Sequence, residues 1–149
     1  MDNKSLDAFI DKLQEDILSE AYSAYGKRGY DRWLHPKFCN TISNADAHAA
    51  LTGDCGDTME IFLSMNGEIV KDASYRTTGC ASSSICGSFA AELAIGKSAD
   101  EILDMTGETI LNELGRFPQE EQHCAHLAIT TVKEAINTYM RHRSQNKKT

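Results

Sequence analysis

The chain has no unbroken apolar run of the about 18 residues that a membrane-spanning helix requires. It also lacks the basic-then-apolar start of a secretory signal, since Asp2, Asp7, Asp11, Glu15 and Asp16 make its first turns acidic. Both absences predict a soluble, cytoplasmic protein. An excess of basic charge is missing too. The formal net charge is −7, which argues against a general nucleic-acid binder, because neutralising phosphates takes a basic face. The cysteines do not form an even set. There are 5 of them, so a disulfide framework is not expected, and reduced thiols are left for metal or sulfur chemistry. Internal repeats and low-complexity tracts are absent.

What is present suffices for one core: 149 residues, 41% of them hydrophobic, can bury an interior without covalent staples. The expected organisation is a single domain over 1–149, with an N-terminal helix and connector over 1–34, a core over 35–141 and a basic, disordered tail over 142–149. Leu6, Phe9, Ile10, Leu13, Ile17, Leu18 and Ala21 recur at the three-and-four spacing of an amphipathic helix, with Ser5 as N-cap and an end near Gly26. From Lys27 to Asp54, Gly29, Pro36, Asn40, Asn44 and Gly53 interrupt any period, which predicts an irregular, partly packed connector. The tail cations Arg141, Arg143, Lys147 and Lys148 read as a solvated end that suits the negative pole of the preceding helix.

Thr58 to Met65 alternates, with Met59, Ile61 and Leu63 on one face, and predicts a strand; Asn66-Gly67 turns it into a second strand through Ile69, Ala73, Tyr75 and Thr77. Matching apolar faces favours a three-residue Met65-Asn66-Gly67 loop over a two-residue Asn-Gly turn. It pairs Leu63 with Ile69, Met59 with Ala73 and Asp57 with Tyr75, and extends to Cys55 opposite Thr77. In this register Cys55 and Asp57 share a face. Ser82, Ser83 and Ser84 then offer caps for a helix through Ile85, Phe89, Ala90 and Leu93 that stops near Gly96. Ser98 with Glu101 forms a capping box, a further short helix runs to Gly115, and Pro118 announces a last helix with Ala125, Ala128, Ile129, Val132, Ala135, Ile136 and Tyr139 inward.

Three thiols stand in distinctive contexts: Cys55-Gly56-Asp57, Thr78-Gly79-Cys80 and Gln122-His123-Cys124. A soft metal or an iron–sulfur centre takes ionised thiolates, and Asp57 and His123 are polar groups costly to bury unless they coordinate or hydrogen-bond something. Cys80 and Cys124 fall near helix N-termini, where free amides and the helix dipole favour thiolate. Cys39 and Cys86 have no acidic or imidazole neighbour and read as small buried groups. His35, His48 and His126 read as surface or structurally satisfied histidines.

These motifs resemble the IscU/NifU-type scaffolds on which iron–sulfur clusters are assembled, and the resemblance covers His35 to Arg141. It implies an α+β fold, a short antiparallel β-sheet covered by helices, here with an additional N-terminal helix. It further implies a cluster site at Cys55, Asp57, Cys80, His123 and Cys124, with Cys124 as persulfide acceptor and Asp57 as the exchangeable ligand. A pyridoxal-phosphate cysteine desulfurase would deliver sulfur, ferrous iron would enter, and a transient [2Fe–2S] cluster would pass to apo iron–sulfur acceptor proteins; a homodimer is compatible. The role is that of a scaffold and sulfur acceptor, not an enzyme. His35-Pro36-Lys37 resembles an Asn-Pro-Arg/Lys segment of the family, and the spacing from Cys80 to Cys124 resembles its IscU/NifU branch. Two segments depart: Phe117-Pro118-Gln119-Glu120-Glu121 stands where the IscU branch has Leu-Pro-Pro-Val-Lys, the recognition segment of a dedicated Hsp70-type chaperone, so that partner is not implied, and the segment before Cys55 is longer than in compact members and contains the extra Cys39. Two other readings stay open. One is a SufU-type sulfur relay with zinc held at Asp57, Cys55, Cys80 and Cys124. The other is a Cys–His hydrolase, disfavoured because adjacent His123 and Cys124 point about 100° apart on a helix.

Overall fold

The computed structural model describes residues 3–146. Its elements are α1 (Asn3–Leu34), β1 (Ala47–Thr52), β2 (Thr58–Asn66), β3 (Ile69–Thr77), α2 (Ala81–Ala94), α3 (Ala99–Leu103), α4 (Gly107–Leu114), a 3₁₀ turn (Gln119–Glu121) and α5 (His123–Asn146). The three strands form one antiparallel sheet in the order β1-β2-β3. Helix α5 packs on β1 and β2, and α2 packs on β3 and against α5. The α+β class and the extra N-terminal helix are therefore as the sequence indicates.

Alternation explains the buried face. Met59, Ile61 and Leu63 of β2 lie between Ala47 and Ala49 of β1 and Ala73 and Tyr75 of β3, all buried, because residues two apart on a strand share a side. Ala90, Ala91 and Ala94 of α2 and Ala125, Ala128 and Ala135 of α5 are buried as well. Small side chains at these positions let helix and sheet approach closely, and Phe89, Ile85, Ile129, Val132 and Ile136 fill the space between.

Two expectations about the hairpins are corrected. First, the segment read as connector contains β1, whose Ala47, Ala49 and Leu51 oppose Leu63, Ile61 and Met59. The strand is only 6 residues long and uses alanine and histidine where a β signal would show branched residues. Second, the β2–β3 turn is Gly67-Glu68, flanked by the pair Asn66–Ile69. Gly67 supplies φ 65 at the first turn position, which glycine adopts without strain. Continued unchanged, that turn would set Leu63 against Asp72; a bulge between Ser64 and Met65 restores the match, so Leu63 opposes Ala73, Ile61 opposes Tyr75 and Met59 opposes Thr77. The register differs from the expected one by a slip of four residues, which leaves every side chain on the same face and is invisible to a period-two pattern. Consequently Cys55 does not pair with Thr77. It lies in the β1–β2 loop instead.

Helix α1 breaks at Gly26 (φ 72, ψ 179), close to its expected end, and a second helical stretch then runs to Leu34. That stretch is anchored by Arg32, whose guanidinium lies 4.1 Å from the Phe89 ring centroid and bonds Ser88 (2.9 Å) and Glu92 (3.0 Å). A desolvated cation over a ring, with its N–H groups satisfied, stabilises the contact by about 2 kcal/mol. At the other end α5 continues through Asn146. Residues 142–146 therefore form its last turn rather than a disordered tail, held in part by Arg143 donating to the Gly67 carbonyl; residues 147–149 lie outside the described residues.

Candidate functional site

Three backbone features bring the distinctive motifs to one end of the sheet. The β1–β2 loop closes on itself, with the Gly53 amide donating to the Asp57 carbonyl (2.9 Å) and the Gly56 amide to the Gly53 carbonyl (3.0 Å). Cys55 is thereby held exposed at the tip. Past β3, Cys80 stands at the N-cap of α2 in extended conformation, also exposed. His123 and Cys124 open α5, with His123 exposed and Cys124 buried.

Ser83 joins two of these segments. Its hydroxyl donates to Asp57 Oδ2 at 3.3 Å and lies 3.5 Å from the Cys124 sulfur, whose S–H is the remaining donor. Gly79 is needed beside it, because a Cβ there would fall 2.3 Å from Ser83 Oγ and 2.7 Å from Asp57 Oδ2. Gly53, Asp54, Cys55, His123 and Leu127 line an open cleft of about 490 Å³. So Asp57 and Cys124 meet through Ser83, and Cys55 and His123 share a cleft beside them. The side chains stand apart rather than closed on a point: among the described residues, no three His, Cys, Asp or Glu groups form a ready metal cage.

The electrostatics correct one expectation. Cys124 is not activated by its helix start. Burial pushes its thiol above the ordinary range, the Ser83 hydrogen bond opposes the shift, and Cys80, Cys55 and Glu121 add to it as like charges. The last influence also shows that Cys55 and Cys80 lie within electrostatic reach of Cys124. Cys86, directly after Ile85 in the core, is pushed up well above its usual range by burial, with Cys124 and Glu121 contributing; the reading of Cys86 as a buried structural residue holds. That of Cys39 does not. Cys39 is exposed, in a segment that adds to the edge of β3 through the Tyr75 amide and the Phe38 carbonyl (2.8 Å). His48 pairs with Glu60 at 3.0 Å, and His35 and His126 are exposed.

Sequence reasoning missed Ser83 as a site residue, and it missed Glu121. The Glu121 carboxylate accepts a short hydrogen bond from Ser82 in the first turn of α2 and lies 3.4 Å from the Tyr25 hydroxyl, itself 3.0 Å from Ser82 Oγ. This three-residue clamp ties α1, α2 and the approach to α5 beside Cys80. The run Ser82-Ser83-Ser84 was the available signal, since three consecutive hydroxyls exceed what a single N-cap needs.

Fold and site define a small α+β domain that presents thiols, a carboxylate and an imidazole from three separate elements at one end of its sheet. The chain belongs to the NifU-like N terminal domain family, which it matches over residues 24–146. Among its relatives, the iron–sulfur cluster assembly scaffold protein IscU 1 of Archaeoglobus fulgidus is 30% identical over 118 residues, covering 78% of this chain and 77% of that protein. The IscU scaffold protein of Escherichia coli is 32% identical over 121 residues, covering 78% and 94%. The N-terminal NifU-like protein of Brucella abortus has the same fold, with TM-score 0.64 at 22% identity over 80% of this chain and 96% of that one. So does a protein of Fervidobacterium islandicum described as a SUF-system scaffold, with TM-score 0.62 at 22% identity over 78% and 98%. No described helix is long and apolar enough to cross a membrane.

Proposed function

We propose that this protein is a scaffold on which a [2Fe–2S] cluster is assembled and from which it is passed to apo iron–sulfur proteins. Iron and sulfide are its cargo, taken up by Cys55, Asp57, Cys80, His123 and Cys124. The observation that supports this most is the convergence of three loop ends in which Asp57 and Cys124 share one hydroxyl, 3.3 and 3.5 Å away, with exposed Cys55 and Cys80 beside them. Similarity to IscU scaffold proteins over more than three quarters of the chain supports the same reading.

The chemistry follows from the residue types. Cys124 loses its proton and attacks the terminal sulfur of a persulfide carried by a cysteine desulfurase; the donor S–S bond breaks, the donor leaves as thiolate, and Cys124 becomes the persulfide. Freeing each sulfide takes two electrons, one from a ferrous ion that becomes ferric and one from an external one-electron carrier protein, and the sulfides then bridge the two iron atoms. The three thiolates suit the soft side of the iron, while Asp57 is a harder, more exchangeable ligand that lets the cluster leave. Burial shifts Cys124 further toward its thiol form, which slows its adventitious oxidation.

Anaerobic reconstitution with ferrous iron, cysteine and a desulfurase, read by visible absorption and Mössbauer spectra, tests this. Cys55→Ser, Cys80→Ser and Cys124→Ser should each lose the stable cluster, and Cys39→Ser and Cys86→Ser should keep it. A wild-type protein that holds zinc and forms no cluster under these conditions would replace the scaffold with a zinc-bound sulfur relay.

A further inference from the structure

Ser83 is 1% exposed and sits three residues into α2 after Cys80. Its hydroxyl has one proton and two lone pairs, and both neighbours within reach are proposed ligands: it donates to Asp57 Oδ2 and accepts from the Cys124 thiol. Gly79 approaches this pair so closely that a Cβ there would clash with both Ser83 Oγ and Asp57 Oδ2. Asp57 follows the β1–β2 loop tip, Ser83 is on α2 and Cys124 is on α5, so one oxygen atom links three elements. The bond engages Oδ2 and leaves Oδ1 outside it. Asp57 is only half-buried, and without this bond its carboxylate is free to turn into solvent.

We propose that Ser83 is a positioning residue that couples Asp57 to Cys124 and thereby sets the affinity and geometry with which the site takes up a divalent metal ion. The inference rests on the reading of Asp57 and Cys124 as ligands given above. Hydrogen bonds that orient ligating side chains are commonly worth about 10–100-fold in metal affinity. Here the bond restricts the one ligand that is not a thiolate and not on a helix. When metal binds, the Cys124 proton passes to the buffer, and the Ser83 proton stays available to the carboxylate.

The test is anaerobic titration of the full chain with Co²⁺, which reports ligand type and geometry through its sulfur charge-transfer and ligand-field bands, with no need for cluster assembly. Wild type, Ser83→Ala, Asp57→Ala, the double variant and Cys124→Ser are compared, with circular dichroism and unfolding midpoints recorded for each. Ser83→Ala deletes a single oxygen, and the half-buried Asp57 can reach water, so the fold should persist. The expected result is about tenfold weaker Co²⁺ binding by Ser83→Ala with an altered ligand-field envelope, and a double variant no weaker than Asp57→Ala alone. Wild-type affinity and spectrum in Ser83→Ala would overturn the proposal, as would losses that multiply in the double variant. Loss of the fold in Ser83→Ala would also overturn it, by making the residue structural. Wild-type Co²⁺ binding in both Asp57→Ala and Cys124→Ser would instead remove the ligand assignment itself, and this inference with it.

Discussion

Leu13 and Ile17 in α1, like Ile129 and Val132 in α5, come from apolar stripes at three-and-four spacing; yet Leu13 and Ile17 are each 49% exposed, while Ile129 and Val132 are 2% and 0% exposed. The two helices differ in what surrounds them. Helix α5 lies on β1 and β2 and against α2 and α4, whereas α1 contacts α2 and α4 mainly through the stretch after Gly26, where Gly29 and Arg32 are buried. The stripe before the break meets none of the buried core. The family match begins at residue 24, so the exposed stretch lies almost wholly outside the matched region. Amphipathic spacing thus tells which side of a helix is apolar, and not whether the fold covers it.

The contrast can be broken most directly with charge. Val132→Asp puts an unpaired carboxylate among the sheet and α2, a mechanism that exceeds about 4 kcal/mol, so the variant should show no cooperative thermal transition by circular dichroism. Leu13→Asp, on the exposed stripe, should stay within about 0.5 kcal/mol of wild type; equal damage from both would mean that α1 is covered after all.

Truncation sharpens the same comparison at lower cost. Ile136→Ala should lower stability by about 2–4 kcal/mol through lost burial and a residual cavity, seen as a lower urea midpoint at unchanged slope. Ile10→Ala should move that midpoint by less than about 0.5 kcal/mol in equivalent stability.

A smaller loss than either core substitution belongs to the joint between the two regions. Tyr25 precedes the break at Gly26, and its hydroxyl reaches Ser82 and Glu121. Tyr25→Phe removes that contact while Ser82 keeps Glu121, so the loss should be about 1 kcal/mol. A much larger loss would show that α1 is integral to the site end of the domain.

Much of this was legible before any coordinates. The inner face of α5 is as its spacing indicated, from Ala125 to Ile136, and the capping box of Ser98 and Glu101 is present, with Ser98 Oγ accepting from the Glu101 amide at 3.2 Å. Helix periodicity is local and repeats over several turns, so it survives in the sequence. Strand β1 was not legible, because six residues rich in alanine carry no such signal and owe their conformation to pairing with β2. The site was partly legible. Cys55, Cys80, Cys124, Asp57 and His123 stood out by motif, whereas Ser83 looked like a cap and Glu121 carried no signal of its own.

By itself, the sequence determined the apolar face of each long element, from spacing, and the candidate ligand set, from residue type and motif, while its resemblance to a known family implied the α+β class. Only the tertiary structure decided the β2–β3 register, the burial that raises the Cys124 thiol, and the meeting of Asp57, Ser83 and Cys124. Each of those depends on residues far apart in the chain, where one bulge at Ser64–Met65 or one close approach at Gly79 selects among arrangements that local pattern leaves equivalent.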